Sequence, residues 1–162
     1  MFIKQEIPES KTKAYELLLA QASHVLEDGV PWYTNAANLA SLLSIYLTDL
    51  NWVGVYVMHQ GQLVLGPFQG LPGCTLIEVG KGVCGTAAAT KTTQNIANVH
   101  DFEGHIACDS ASNSELVVPI IVDGDVVAVW DIDSPRLNRF DADDVKLVES
   151  LIEILAKKWR ND

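Results

Sequence analysis

Two apolar runs, Leu116–Val122 and Val126–Ile132, flank the turn Asp123-Gly124-Asp125. Valine and isoleucine at this density around an Asp-Gly turn form a β-hairpin. The strength of the pattern predicts the central strands of a sheet, and the rest of the chain must pack around them. Near the end of the second run the pattern is broken by Asp131 and Asp133. Side chains two apart on a strand face the same side, so the two carboxylates are neighbours. In a partly buried place, like charges raise the pKa of at least one of them unless a cation sits between them. Such a pair suits a ligand ammonium group, or a carboxylic acid kept protonated as a proton donor. The alternative is that the strand has ended and 131–135 is a solvated turn. Glu115 opens the partner strand, and the hairpin register brings it opposite the region of position 133. Glu115, Asp131 and Asp133 can therefore form one acidic cluster, although a lone Glu115 could equally be a solvated strand start.

The remaining elements follow from periodicity. Residues 8–28 carry Tyr15, Leu18, Leu19, Ala22, Val25 and Leu26 at helical spacing, and Asp28-Gly29 ends the run. Thr34 is placed to cap a second helix whose stripe is Leu39, Leu42, Leu43, Tyr46 and Leu47. Trp52–Met58 and Gln62–Gly66 read as a second hairpin. Thr75–Val79 and Thr93–Ile96 read as short strands on either side of a glycine turn and short helix, Gly80–Ala89. A last helix starts at Asp141, with Phe140 stapled to Val145. The expectation is an α+β fold over 1–162, one antiparallel sheet of about six strands with the N- and C-terminal helices on one face. The other face is left free for a ligand beneath the long loops of 66–115.

The net charge of −10 repels phosphate backbones and anionic lipid, so nucleic acid and membrane are poor partners. No apolar run is long enough to cross a bilayer and the first residues turn polar at once, which leaves the cytoplasm as the expected location. There the three cysteines, Cys74, Cys84 and Cys108, do not form a static disulfide framework. Their pattern has no Cys-x-x-Cys and no paired histidines, so no metal site is expected. Cys108 lies in a long polar loop beside Asp109 and close to His105, surroundings that favour a reactive thiolate. Cys74 follows Gly70-Leu71-Pro72-Gly73, a segment able to move. Cys84 falls in the first turn of the short helix, where the dipole favours a thiolate, or else packs as a small core residue beside Val83 and Ala87. Trp52, Tyr56 and Trp130 either wall a pocket or belong to the core.

The stretches Gly104-His105-Ile106-Ala107-Cys108-Asp109, Ala111-Ser112-Asn113-Ser114-Glu115 and Asp131-Ile132-Asp133-Ser134 resemble the free methionine-R-sulfoxide reductases, a family built on the GAF fold. Gly66-Pro67-Phe68-Gln69-Gly70, Gly82-Val83-Cys84-Gly85-Thr86-Ala87 and Asn98-Val99-His100 are similar as well. The resemblance runs from about Tyr33 to the last helix, and Ala128 and Trp130 depart from the pattern in a way that points to packing and not to chemistry. It implies a cytoplasmic oxidative-stress enzyme with no bound cofactor. Cys108 would attack the sulfoxide sulfur and become a sulfenic acid, Cys74 would resolve it as a disulfide, and thioredoxin would reduce that disulfide. Cys84 would be an auxiliary resolving thiol. Glu115, Asp131 and Asp133 would bind the substrate ammonium, and one of them would help protonate the sulfoxide oxygen. Trp52 and Tyr56 would enclose the methyl-sulfoxide end. Backbone amides from Ile106 through Ala107 to Cys108 would hold its polar groups. The resemblance also implies a homodimer. The rival readings are a GAF module that binds a ligand without turnover, and a redox switch with no substrate.

Overall fold

In the computed structural model, which describes residues 2–106 and 108–159, the elements run α1 (Lys11–Val25), α2 (Trp32–Tyr46), β1 (Trp52–His59), β2 (Gln62–Gly70), β3 (Leu76–Glu78), α3 (Gly82–Thr90), β4 (Gln94–Ile96), β5 (Ser114–Val122), β6 (Asp125–Ser134) and α4 (Ala142–Lys157). The six strands form one sheet in the order β3-β2-β1-β6-β5-β4, and every pairing is antiparallel. The β5–β6 hairpin sits inside the sheet with a strand on each side, as its apolar pattern predicts. Its turn residues Asp123 and Gly124 have φ of 52° and 88°, the left-handed pair that a two-residue hairpin turn requires.

α1, α2 and α4 cover one face of this sheet. The core between them contains Leu39, Leu43, Val55, Leu116, Trp130, Ile132 and Leu151. Period-two alternation sends Trp130 and Ile132 to this side and Asp131 and Asp133 to the other. Trp130 therefore belongs to the structural core and not to an aromatic pocket wall. The opposite face carries a smaller core of Trp52, Tyr56, Val83, Ala87, Val117 and Val129. It is not left open, as the sequence suggests. α3 lies across it, because Val83, Cys84, Ala87 and Ala88 have a sheet to pack against.

The first two helices differ from the sequence reading at their ends. α1 is shorter than 8–28: Ser10 is its N-cap and Leu26 turns to extended backbone. α2 begins at Trp32 after Pro31 and not beyond Thr34. This start lets the Trp32 ring stack on Trp159, with centroids 5.0 Å apart. α4 opens with the expected Asp141 cap, completed by Asp144 as a reciprocal capping box. Asp144 is only 1% exposed. It also accepts hydrogen bonds from Tyr15 Oη, from Lys11 Nζ at 3.2 Å and from Arg139 Nη1 at 3.1 Å. One buried carboxylate thus joins α1 to α4. Asp144→Ala should lower the unfolding free energy by about 3 kcal/mol, because Tyr15, Lys11, Arg139 and the start of α4 lose their common buried partner. Urea denaturation checks this, and a loss no larger than that of a typical surface substitution would contradict it.

Candidate active site

Antiparallel register builds the site from two strands. Glu115 on β5 lies opposite Asp133 on β6, and Asp131 lies between Val117 on β5 and Gly54 on β1. The strand continues through both aspartates to Ser134, so they do not form a solvated turn. Glu115, Asp131 and Asp133 are 6%, 6% and 8% exposed and point to the face that α3 covers. All three line one pocket with Cys84, His105, Ile106, Cys108 and Ser112. Gly54 is required beside them, since a Cβ there would run into Phe68 and the Trp52 ring.

The loop after β2 and the loop before β5 meet over this pocket. A disulfide joins Cys74 to Cys108, with Cα atoms 5.3 Å apart. Tyr56 Oη stands 4.0 Å from Cys108 Sγ. Trp52 stacks on Tyr56 at 5.6 Å and on Phe68 at 5.4 Å, and its Nε1 donates to the Leu71 carbonyl. Trp52 and Tyr56 therefore support the Cys74 loop from below, and Tyr56 reaches between Cys108 and the acids. Ile106 rests over Gly82, the first residue of α3, whose φ of +61° and close approach to Ile106 leave no room for a side chain. Ala107, expected to contribute a backbone amide, lies outside the described residues. With the disulfide formed, the pocket holds about 20 Å³ of water-accessible space, room for about one water molecule.

The carboxyls crowd each other in a buried place. Burial, and then the charge of Asp133, pushes Glu115 well above the usual carboxylate range. Burial and the neighbouring Glu115 do the same to Asp131, and burial and Asp131 to Asp133. Asp131 Oδ1 is buried without a hydrogen-bond partner. Burial raises the Tyr56 phenol, so it stays protonated and can donate toward sulfur.

For Cys84 the structure favours the second of the two sequence readings, a small residue packed beside Val83 and Ala87. It does sit in the first turn of α3, but burial, and then the charges of Asp131 and Glu115, push its thiol up, which outweighs any help from the helix dipole. Its Sγ donates to Glu115 Oε1 at 3.9 Å. His105 faces Glu115, Nε2 to Oε2 3.6 Å, and burial lowers its pKa.

Sequence reasoning missed what fixes the Cys108 loop. Asn51 Nδ2 donates to Asp109 Oδ2 and to Ser112 Oγ, both at 2.9 Å. Asp109 Oδ1 accepts from the Ala111 amide at 2.8 Å, and these bonds hold its carboxyl below the usual range. The only signal for Asn51 is a polar residue directly before an apolar strand. Its partners lie 58 and 61 positions away. Of the Cys and His residues weighed as metal ligands, Cys74 and Cys108 are bonded to each other and His100 is tied to Asn113 at the surface. A different trio comes together: the ligand atoms of Cys84, Glu115 and Asp131 lie within 4.8 Å of one another.

A carboxyl whose folded-state pKa is raised holds its proton more tightly when folded. That stability is complete below the ordinary carboxylate range and is lost as pH rises through the raised value. Asp131→Asn carries no such charge. Its melting temperature should therefore climb relative to wild type as pH increases from acid to mildly alkaline. Paired melts across pH check this, and a constant difference would contradict it.

Comparisons with known proteins agree on the fold. The GAF domain family matches residues 20–158. The chain is 49% identical to Protein YtsP of Bacillus subtilis, over 97% of this chain and 98% of that protein. It is 43% identical to the free methionine-R-sulfoxide reductase of Escherichia coli, over 91% of this chain and 90% of that protein. A solved structure of free methionine-R-sulfoxide reductase from Neisseria meningitidis in complex with its substrate superposes with a TM-score of 0.91, at 38% identity over 98% of this chain and 96% of that one.

Proposed function

The chain belongs to the GAF-domain family and, within it, to the free methionine-R-sulfoxide reductases, and from this premise we propose how its own residues reduce free L-methionine (R)-S-oxide to L-methionine. The observation that carries the mechanism is a buried acid cluster, Glu115, Asp131 and Asp133, in the same pocket as the Cys74–Cys108 disulfide. A free amino acid brings an ammonium group, and the buried carboxyls are short of a cation. Two of them ionise around that group, and the third keeps its proton. A peptide-bound methionine has no ammonium at this point and would leave the acids uncompensated.

Reduction then needs a thiolate, a proton and a second thiol. The Cys108 thiolate attacks the sulfoxide sulfur, and the protonated carboxyl gives its proton to the oxygen. The sulfur–oxygen bond breaks as Cys108 takes the oxygen, forming a sulfenic acid and releasing methionine. Cysteine is oxidised by two electrons and the substrate sulfur is reduced by two. The Cys74 thiol then attacks Cys108, the disulfide forms and water leaves. A dithiol protein of the thioredoxin class reopens the disulfide by exchange. The narrow oxidised pocket supports this order, since it has no room for an amino acid until the disulfide opens. Tyr56 Oη is within reach of Cys108 Sγ and stabilises the thiolate as a donor. Asn51 keeps the Cys108 loop seated. Cys84 serves as a reserve thiol, protonated among the acids.

Oxygen transfer and disulfide formation use the chain's own side chains, and only the recycling step draws on an outside dithiol, so the mechanism needs no prosthetic group. Among the described residues, no helix is long and apolar enough to cross a membrane. The need for a cellular dithiol supports a cytoplasmic location. A homodimer through exposed helix faces completes the reading, supported by Tyr33, which is exposed on α2.

The test is NADPH oxidation coupled through thioredoxin reductase and thioredoxin. The free R epimer should turn over, while the S epimer and a peptide-bound sulfoxide should not. Asp131→Asn should raise KM by about tenfold or more, the size expected when a charge-assisted contact is removed. Equal turnover of free and peptide-bound sulfoxide would contradict the ammonium seat.

A further inference from the structure

We propose that the base of the pocket is also a site for a thiophilic divalent cation of the zinc class, held by Cys84, Glu115 and Asp131. The donor set is one thiol and two carboxylates, types that zinc takes, and it leaves the fourth position of a four-coordinate ion to an outside ligand. The separations fit a shared ion. Zinc–sulfur and zinc–oxygen bonds of ordinary length, at a tetrahedral angle, place S and O about 3.5 Å apart. Cys84 Sγ and Glu115 Oε1 are 3.9 Å apart. The Cys84, Glu115 and Asp131 donors all fall within 4.8 Å of one another.

Two further observations point to a ligand and not to a closed set of internal hydrogen bonds. Asp131 is 6% exposed, lines the pocket, and keeps Oδ1 buried with no partner. The second is size. With Cys74 and Cys108 joined, the space of about 20 Å³ is too small for an amino acid but sufficient for a bare ion. Binding breaks the Cys84 S–H bond, releases that proton to solvent and forms a sulfur–metal bond. The acids lose the protons that crowding imposes on them. The cation and the substrate ammonium use the same carboxylates, so each excludes the other. The site is thus a place where a thiophilic metal competes with turnover.

The test is metal binding to the oxidised protein, whose only free thiol is Cys84 once Cys74 and Cys108 are joined. Cobalt(II) is titrated in and followed by its thiolate charge-transfer band and tetrahedral d–d bands, then displaced by zinc. One equivalent should give the band. Cys84→Ser should abolish it, and Asp131→Asn and Glu115→Gln should each weaken binding by about tenfold or more, each removing one charged donor. No band at stoichiometric cobalt would overturn the site, and so would full affinity in both carboxyl variants. The titration involves no turnover. A chain that binds cobalt but reduces no sulfoxide would keep this site and lose the reductase mechanism, and the converse result would do the opposite.

Discussion

Three buried carboxyl groups share one pocket, and much of the architecture exists to hold them there. Burying one carboxyl is unfavourable, and burying three side by side is more so. The fold can do this because the acids sit on the strands that are otherwise its most apolar. Alternation lets β6 place Trp130 and Ile132 in the main core while Asp131 and Asp133 enter the pocket. The helical face with Leu39, Leu43 and Leu151 supplies hydrophobic stabilisation for a site that works against folding. A ligand cation relieves this conflict, so affinity for one follows from the same geometry that strains the unliganded state.

The two faces of the sheet divide the work. On one side α1, α2 and α4 pack and are tied together through Asp144. On the other, α3 leaves one end of the sheet uncovered, and two loops from distant parts of the chain meet there. Cys74 arrives from β2 and Cys108 from the loop before β5, 34 positions later. Neither loop has a core of its own. Trp52 holds the first through the Leu71 carbonyl, and Asn51 holds the second through Asp109 and Ser112. Adjacent residues at the start of β1 thus position both sulfurs. The acids themselves stand on paired strands and not on these loops.

Patterns that repeat locally were legible in the sequence. The two continuous apolar runs around Gly124 predict the hairpin, its turn and its central place, and the register that puts Glu115 opposite Asp133. The shared face of Asp131 and Asp133 follows from spacing alone. The motif around Cys108 carries the family, and the family carries the chemistry. Long-range effects were not legible. Nothing in the local pattern says that α3 covers the second face, that Cys84 is turned against the acids, or that Asn51 anchors a loop about 60 positions away. The helix dipole at Cys84 is a correct local argument, but burial overrules it. Pro31 in place of Thr34 at the start of α2 is settled by a tryptophan stack reaching to Trp159, which no window of the sequence contains.

The central claim is that Cys108 takes the oxygen from a free amino-acid sulfoxide held by the acids. The most direct measurement uses a Cys74→Ser chain, which cannot resolve the intermediate through Cys74. It is reacted with one equivalent of free methionine-R-sulfoxide, trapped with a sulfenic-acid probe and mapped by mass spectrometry. The account predicts one probe per chain, on Cys108, with an equal amount of methionine released. Methionine release with the probe on Cys84, or with Cys108 unmodified and unbridged, would contradict it.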